Sequence, residues 1–248
     1  MKSHKAHWHD LISWAWDGYR EGLTRDPFEN WKRLLVEGRI ESELGNAMYL
    51  FCGDRVGKES RTFLRRAVAV GERAIEEDKC RLSHPRGFFP VNRGRTLRAL
   101  AYAQWLLGRR LDSKALIQAA NDFKAWCDGI TLRSDWEDIN EKRYAGAVAM
   151  KLLADDVPGA LALLDESRPF VVARPRAAAL REVATAASEG KPVTRTVAKR
   201  FEQMFNNARR PQAAEMIEAF ELAAVMLKHI RHPGKKVSPT ECLELVSA

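Results

Sequence analysis

Apolar residues return at helical spacing along almost the whole chain. From about His7 to Leu23, the residues Trp8, Ile12, Ala15, Trp16, Tyr19 and Leu23 fall on one side, as the 3.6-residue period requires. Asp26-Pro27 predicts a short second helix through Trp31, Leu34 and Leu35, ended by Gly38. A third helix is predicted over Glu41–Cys52, closed by Gly53. A fourth runs over Lys58–Glu77, with Phe63, Ala67, Val70, Gly71 and Ala74 inward. The stretch Arg81 to Gly94 holds Pro85, Gly87, Pro90 and Gly94, a density of breakers that predicts a loop.

Beyond that loop the helical pattern resumes. Arg95–Leu107 is predicted helical, with Leu97, Leu100, Ala101, Leu107 and Gly108 on the face next to that of Arg95, Arg98, Tyr102, Trp105 and Arg109. Asp112 or Ser113 is placed to cap the next helix, which buries Leu116, Ala119, Ala120, Phe123 and Cys127. Ser134-Asp135-Trp136-Glu137 reads as a capping box for a helix carrying Ala145, Val148, Ala149 and Leu152. Asp155-Asp156-Val157-Pro158 turns into a short helix with Ala160, Leu161 and Leu164. An apolar connector, Phe170–Ala173, leads to three more helices over Pro175–Ser188, Thr194–Asn207 and Pro211–Arg231. The tail from His232 reads as loop, with a turn of helix possible over Thr240–Val246. Phe170-Val171-Val172 is the one β-leaning run and is too short for a strand assignment. The expected fold is all-α, about ten or eleven helices in antiparallel hairpins, in a single compact or solenoid-like domain over 1–248. It divides into N-terminal helices 1–78, a basic loop 79–94, hairpins 95–231 and a tail 232–248.

Two turns rhyme. Trp105-Leu106-Leu107-Gly108 leads through a charged turn to Ala115-Leu116, and Lys151-Leu152-Leu153-Ala154 leads to Ala160-Leu161. Over roughly residues 95–165 this resembles tetratricopeptide-like helical-hairpin arrays, although their pattern of Trp, Leu-Gly, Tyr, Ala, Phe and Pro at fixed offsets is not met. The resemblance implies an architecture type and carries no residue roles.

Charge changes the picture. Lys79–Lys114 holds nine basic residues (Lys79, Arg81, Arg86, Arg93, Arg95, Arg98, Arg109, Arg110 and Lys114) and one acid, Asp112, an excess equal to the net +8 of the whole chain. Within it Arg95, Arg98, Tyr102, Trp105 and Arg109 recur at helical spacing and predict a basic–aromatic stripe. Arg, Tyr and Trp dominate interface energetics because they combine large buried area with polar contacts. The alternative is that Trp105 packs inward and the arginines form a solvated face. Phe88-Phe89 lies in the preceding loop, where anchoring to the core is the expected role.

Other chemistry is sparse. His4, His7, His9 and Asp10 form a histidine-rich N-terminal group, and His229 and His232 a second pair beside Lys228 and Arg231. The first lies near the start of the sequence, where fraying is expected, and the second reads as dipole partners of a helix C-terminus. No zinc-protease, nucleophile-elbow, phosphate-loop or dinucleotide fingerprint is present. No cofactor, metal or catalytic residue is expected. The four cysteines (Cys52, Cys80, Cys127, Cys242) are scattered, which suits free thiols in a cytoplasmic protein. No apolar run reaches the eighteen or so residues of a membrane span, and no membrane partner is expected. These features suggest a non-catalytic protein-binding module that meets an acidic protein partner through Arg86, Arg93, Arg95, Arg98, Tyr102, Trp105, Arg109 and Arg110. All-helical chains of this size that lack motifs resemble some bacterial immunity proteins, which implies toxin neutralisation. The alternative is RNA or DNA binding through the same arginines. The sequence leaves the oligomeric state open.

Overall fold

The computed structural model describes residues 40–53, 58–81, 90–129, 137–166, 174–208 and 213–247. These form ten α-helices and no strand among the described residues, an all-α fold as the apolar period requires. The helices are α1 (Ile40–Gly53), α2 (Lys58–Arg81), α3 (Pro90–Leu106), α4 (Ser113–Gly129) and α5 (Glu137–Leu153). They continue as α6 (Val157–Glu166), α7 (Pro175–Ser188), α8 (Arg195–Ala208), α9 (Ala213–Val225) and α10 (Pro239–Ser247). A single π-turn, Met226–Arg231, extends α9. None of the described helices is long and apolar enough to cross a membrane.

The described residues gather into two compact units. The first holds residues through Leu111 together with 213–217; the second holds 112–208 and 218–246. The division at Leu111–Asp112 falls inside the first of the two rhyming turns.

In the first unit α1, α2 and α3 pack on one another in all three pairings. Ile40, Leu44, Met48, Leu64, Val68, Leu100 and Tyr102 supply the core. Gly71 lets α2 approach α3 closely: a Cβ there would stand 2.7 Å from Leu100 Cδ2. On α2 Ala67, Val70, Gly71 and Ala74 are buried as expected, whereas Phe63 is half-buried and its neighbour Leu64 is fully buried. The expected loop through Gly94 is shorter than anticipated, because α3 begins at Pro90. Proline at a helix's first position loses no hydrogen bond, since that N–H has no intrahelical acceptor, and Gly94 lies buried within the helix. Gly108, at φ +90°, ends the last turn of α3 in a conformation glycine adopts without steric cost.

In the second unit α4 and α5 form the main contact. α6 and α7 pack on α5, α7 also packs on α6, α8 packs on α7, and the π-turn meets α7 and α8. Leu116, Phe123, Val148, Leu152, Leu164, Leu180, Val183, Phe201, Phe205 and Phe220 form its core. On α6 Ala160, Leu163 and Leu164 turn inward while Leu161 is half-buried. Several helix ends are satisfied by side chains next to them in sequence. Asp112 caps α4 by accepting the Ala115 N–H at 3.0 Å. Asp156 caps α6 by accepting the Gly159 N–H at 3.0 Å and also holds Lys151 Nζ at 2.8 Å. Those bonds, Lys151 foremost, keep the Asp156 carboxyl below the ordinary range. The tail from His232 is more ordered than a loop reading allows. Ser238 and Glu241 form a reciprocal capping box, Ser238 N–H to Glu241 Oε2 at 2.9 Å and Glu241 N–H to Ser238 Oγ at 3.2 Å. That box starts α10, which buries Cys242, Leu243 and Val246.

The predicted helices of residues 7–38, the Phe88-Phe89 loop, the Ser134 cap, the Phe170–Ala173 connector and the His4–Asp10 group lie outside the described residues.

Candidate partner-binding surface

The five-residue stripe divides along α3. Its N-terminal half turns inward. Glu41 of α1 is 2% exposed and takes a hydrogen bond from Arg95 Nε at 2.5 Å and from Arg98 Nη2 at 2.6 Å. Arg98 is 6% exposed and Tyr102 fully buried. Arg98 and Tyr102 are thus core components rather than parts of an open face. The physical reason is that α3 packs against both α1 and α2, so burial extends most of the way around it. A stripe argument assumes one free face, and this stretch of α3 has little free face.

The C-terminal end of α3 differs. Trp105 is half-buried, and Arg109 and Arg110 are exposed. Glu72 of α2 accepts Gln104 Nε2 at 2.8 Å and Arg109 Nη1 at 2.6 Å through the same oxygen. Arg110 forms no ion pair with any described residue. Arg93 is half-buried, and Arg86 lies outside the described residues.

Magnitudes decide which of these arginines can serve a partner. Withdrawing Arg98 from Glu41 leaves a buried charge uncompensated, at about 3–5 kcal/mol. The Arg109–Glu72 pair has side chains 58% and 42% exposed, so water screens it, and such a pair is worth about 1 kcal/mol or less. Arg109 can exchange Glu72 for a partner carboxylate at small cost; Arg98 cannot.

The surface extends onto α2, outside the predicted stripe. Arg61 and Arg65 are exposed and Arg66 half-buried on α2, and none pairs with a described acid. Arg65 and Glu72 are seven residues apart, two turns along one face, about 10 Å. The basic edge thus runs along the outer face of α2, through Arg109, to Trp105 and Arg110. The available signal was the Arg61…Arg65-Arg66 spacing, hidden by the acids that follow it in α2.

Displaced acidities occur elsewhere, in the second unit, and serve helix ends. Burial pushes the Glu141 carboxyl up, opposed by Arg176. Glu141 accepts the backbone N–H of Arg176 in the first turn of α7, and the Arg176 guanidinium bonds Glu218. Burial pushes the His229 imidazole down. The π-turn places His229 Nε2 3.2 Å from the Leu152 carbonyl, and Lys228 Nζ 2.9 Å from the Leu153 carbonyl and 2.7 Å from Asp155. Lys228 and His229 therefore cap the C-terminus of α5, not of their own helix. Burial likewise raises the Cys242 thiol. No group of three or more metal-ligating side chains occurs among the described residues.

Compared with family models, with curated proteins and with solved structures, the chain matches none.

Proposed function

We propose that this chain is a cytoplasmic, non-catalytic protein-binding module that meets an acidic protein partner through the basic edge of its first unit, as a toxin-neutralising immunity protein would. The observation that supports it is Glu72 holding Arg109 and Gln104 beside half-buried Trp105, with Arg110 exposed next to it. An arginine already held near its working position loses little freedom on binding, which leaves more of the contact energy as affinity. An aromatic flanked by arginines is the composition of an interface hot spot. Arg61 and Arg65 add charge that no described acid compensates, which favours an acidic surface opposite and speeds encounter.

The test is photocrosslinking in the native cell from a probe at position 110, with crosslinked species identified by mass spectrometry. The expected product is one acidic protein, and Arg61→Glu with Arg65→Glu abolishes the crosslink while leaving the circular dichroism spectrum unchanged. Crosslinks to nucleic acid alone, or a protein crosslink indifferent to the charge reversal, sink the reading.

A further inference from the structure

The second unit carries an outward basic face of its own. Residues 191–208 hold Lys191, Arg195, Lys199 and Arg200 against one acid, Glu202, and Lys191 Nζ meets Glu189 at 2.8 Å. α8 is sharply two-sided. Val197, Phe201 and Phe205 are buried, while Arg195, Thr196, Lys199 and Gln203 are exposed. Both borders of the exposed face are fixed by ion pairs to neighbouring elements. Arg200 Nη1 meets Glu182 of α7 at 2.6 Å, and Arg231 Nη2 of the π-turn meets Glu202 at 3.2 Å. Between those borders Arg195 and Lys199, one turn apart, form no ion pair with any described residue. Arg195, Thr196, Lys199, Arg200 and Gln203 line a shallow open depression.

The side-chain chemistry discriminates among anionic partners. A protein interface needs an apolar or aromatic centre, and a single-strand platform needs aromatic rings on which bases stack. The exposed arc of α8 offers neither. It offers cations bordered by hydroxyl and amide groups, the set that contacts phosphate oxygens without reading bases. We infer that the outer face of α8 binds the phosphate backbone of double-stranded nucleic acid, through Arg195 and Lys199 with Thr196 and Gln203 beside them, without sequence preference. Its residues belong to the second unit and those of the Trp105–Arg110 edge to the first, and its fate does not depend on that edge.

Fluorescence anisotropy of the full chain with labelled mixed-sequence DNA and RNA duplexes, from 50 to 200 mM salt, tests it. Duplex binding is expected to weaken steeply with salt. Arg195→Glu with Lys199→Glu should lower the slope of log affinity against log salt by about two, roughly one per cation. Arg110→Glu should leave duplex binding unchanged. Three results overturn the inference: no duplex binding at 50 mM salt, binding unaffected by the double reversal, or tighter binding of single strands than of duplex. Loss of an acidic protein's binding in the double variant, with no duplex binding in the wild type, would assign the face to protein instead.

Discussion

Glu41 is the residue whose removal tests most of the structure at once. It is 2% exposed and holds Arg95 and Arg98 from a helix that starts about fifty residues later in sequence. Glu41→Ala leaves the Arg98 guanidinium buried without its carboxylate, so the expected loss is about 3–5 kcal/mol. If the chain unfolds cooperatively, that is a fall in Tm of roughly 6–20 °C. The two arginines should not behave alike. The Arg98 side chain is 7% exposed and that of Arg95 23%, so water partly replaces what Arg95 loses. Arg95→Ala should cost about 1.5–3 kcal/mol, the range of a hydrogen bond to a charged group, and Arg98→Ala more. The pair Glu41→Leu with Arg98→Met should recover most of the loss, since apolar side chains of similar volume often replace a buried pair without penalty. Urea unfolding followed by circular dichroism at pH 7 measures all four. A loss below about 1 kcal/mol for Glu41→Ala, of the size of a surface pair, would mean that water reaches the cluster. Arg95 and Arg98 would then return to the partner surface.

Two further measurements probe other joints. Gly71→Ala gains about 1 kcal/mol of helix propensity but drives a methyl into buried Leu100, for a net destabilisation of about 1 kcal/mol where overpacking costs about 1–3; adding Leu100→Ala should make the alanine at 71 cheaper, and strict additivity would refute the contact. His229 and Glu141 should give pH dependences of opposite sign. The folded-state pKa of His229 is depressed, so its contribution is whole above the unfolded value of about 6.5 and is lost as pH falls through the window below it; His229→Gln should flatten that loss. The folded-state pKa of Glu141 is raised, so ionising it costs stability at neutral pH, and that cost fades as pH falls through the raised value toward about 4.3. Glu141→Gln should stabilise the protein at pH 7 and remove that slope; destabilisation at pH 7 would show that the Arg176 N–H needs a full carboxylate.

Much of the secondary structure was legible because local patterns determine it. Pro175–Ser188 matches α7 at both ends, and Thr194–Asn207 differs from α8 by one residue at each end. Apolar period, Pro at N1 and Asx or Ser caps act within one or two turns, so one sequence suffices to read them. The π-turn was not legible. Its placement serves carbonyls of α5 some 75 residues away in sequence, and nothing in Met226–Arg231 announces that. The Ser238–Glu241 capping box is legible in plain form, as Ser-x-x-Glu ahead of an apolar run.

The candidate surface was less legible, because charge counted along a chain is not charge left over in a fold. Lys79–Lys114 holds the full net excess of the chain, yet Glu41 neutralises two of its arginines and Glu72 engages a third. Both acids precede the stretch in sequence. The segment 191–208 lay in the part of the chain that sums to neutrality, because acids such as Glu215, Glu218 and Glu221 offset it in the total. In the fold, Glu218 serves Arg176, and Glu221 is 1% exposed, so neither offers its charge freely to the outer face of α8. A cation acts on a partner through the field that remains after its own neighbours have screened it. By that measure the available charge has moved from the middle of α3 to its C-terminal end, the outer face of α2 and the outer face of α8.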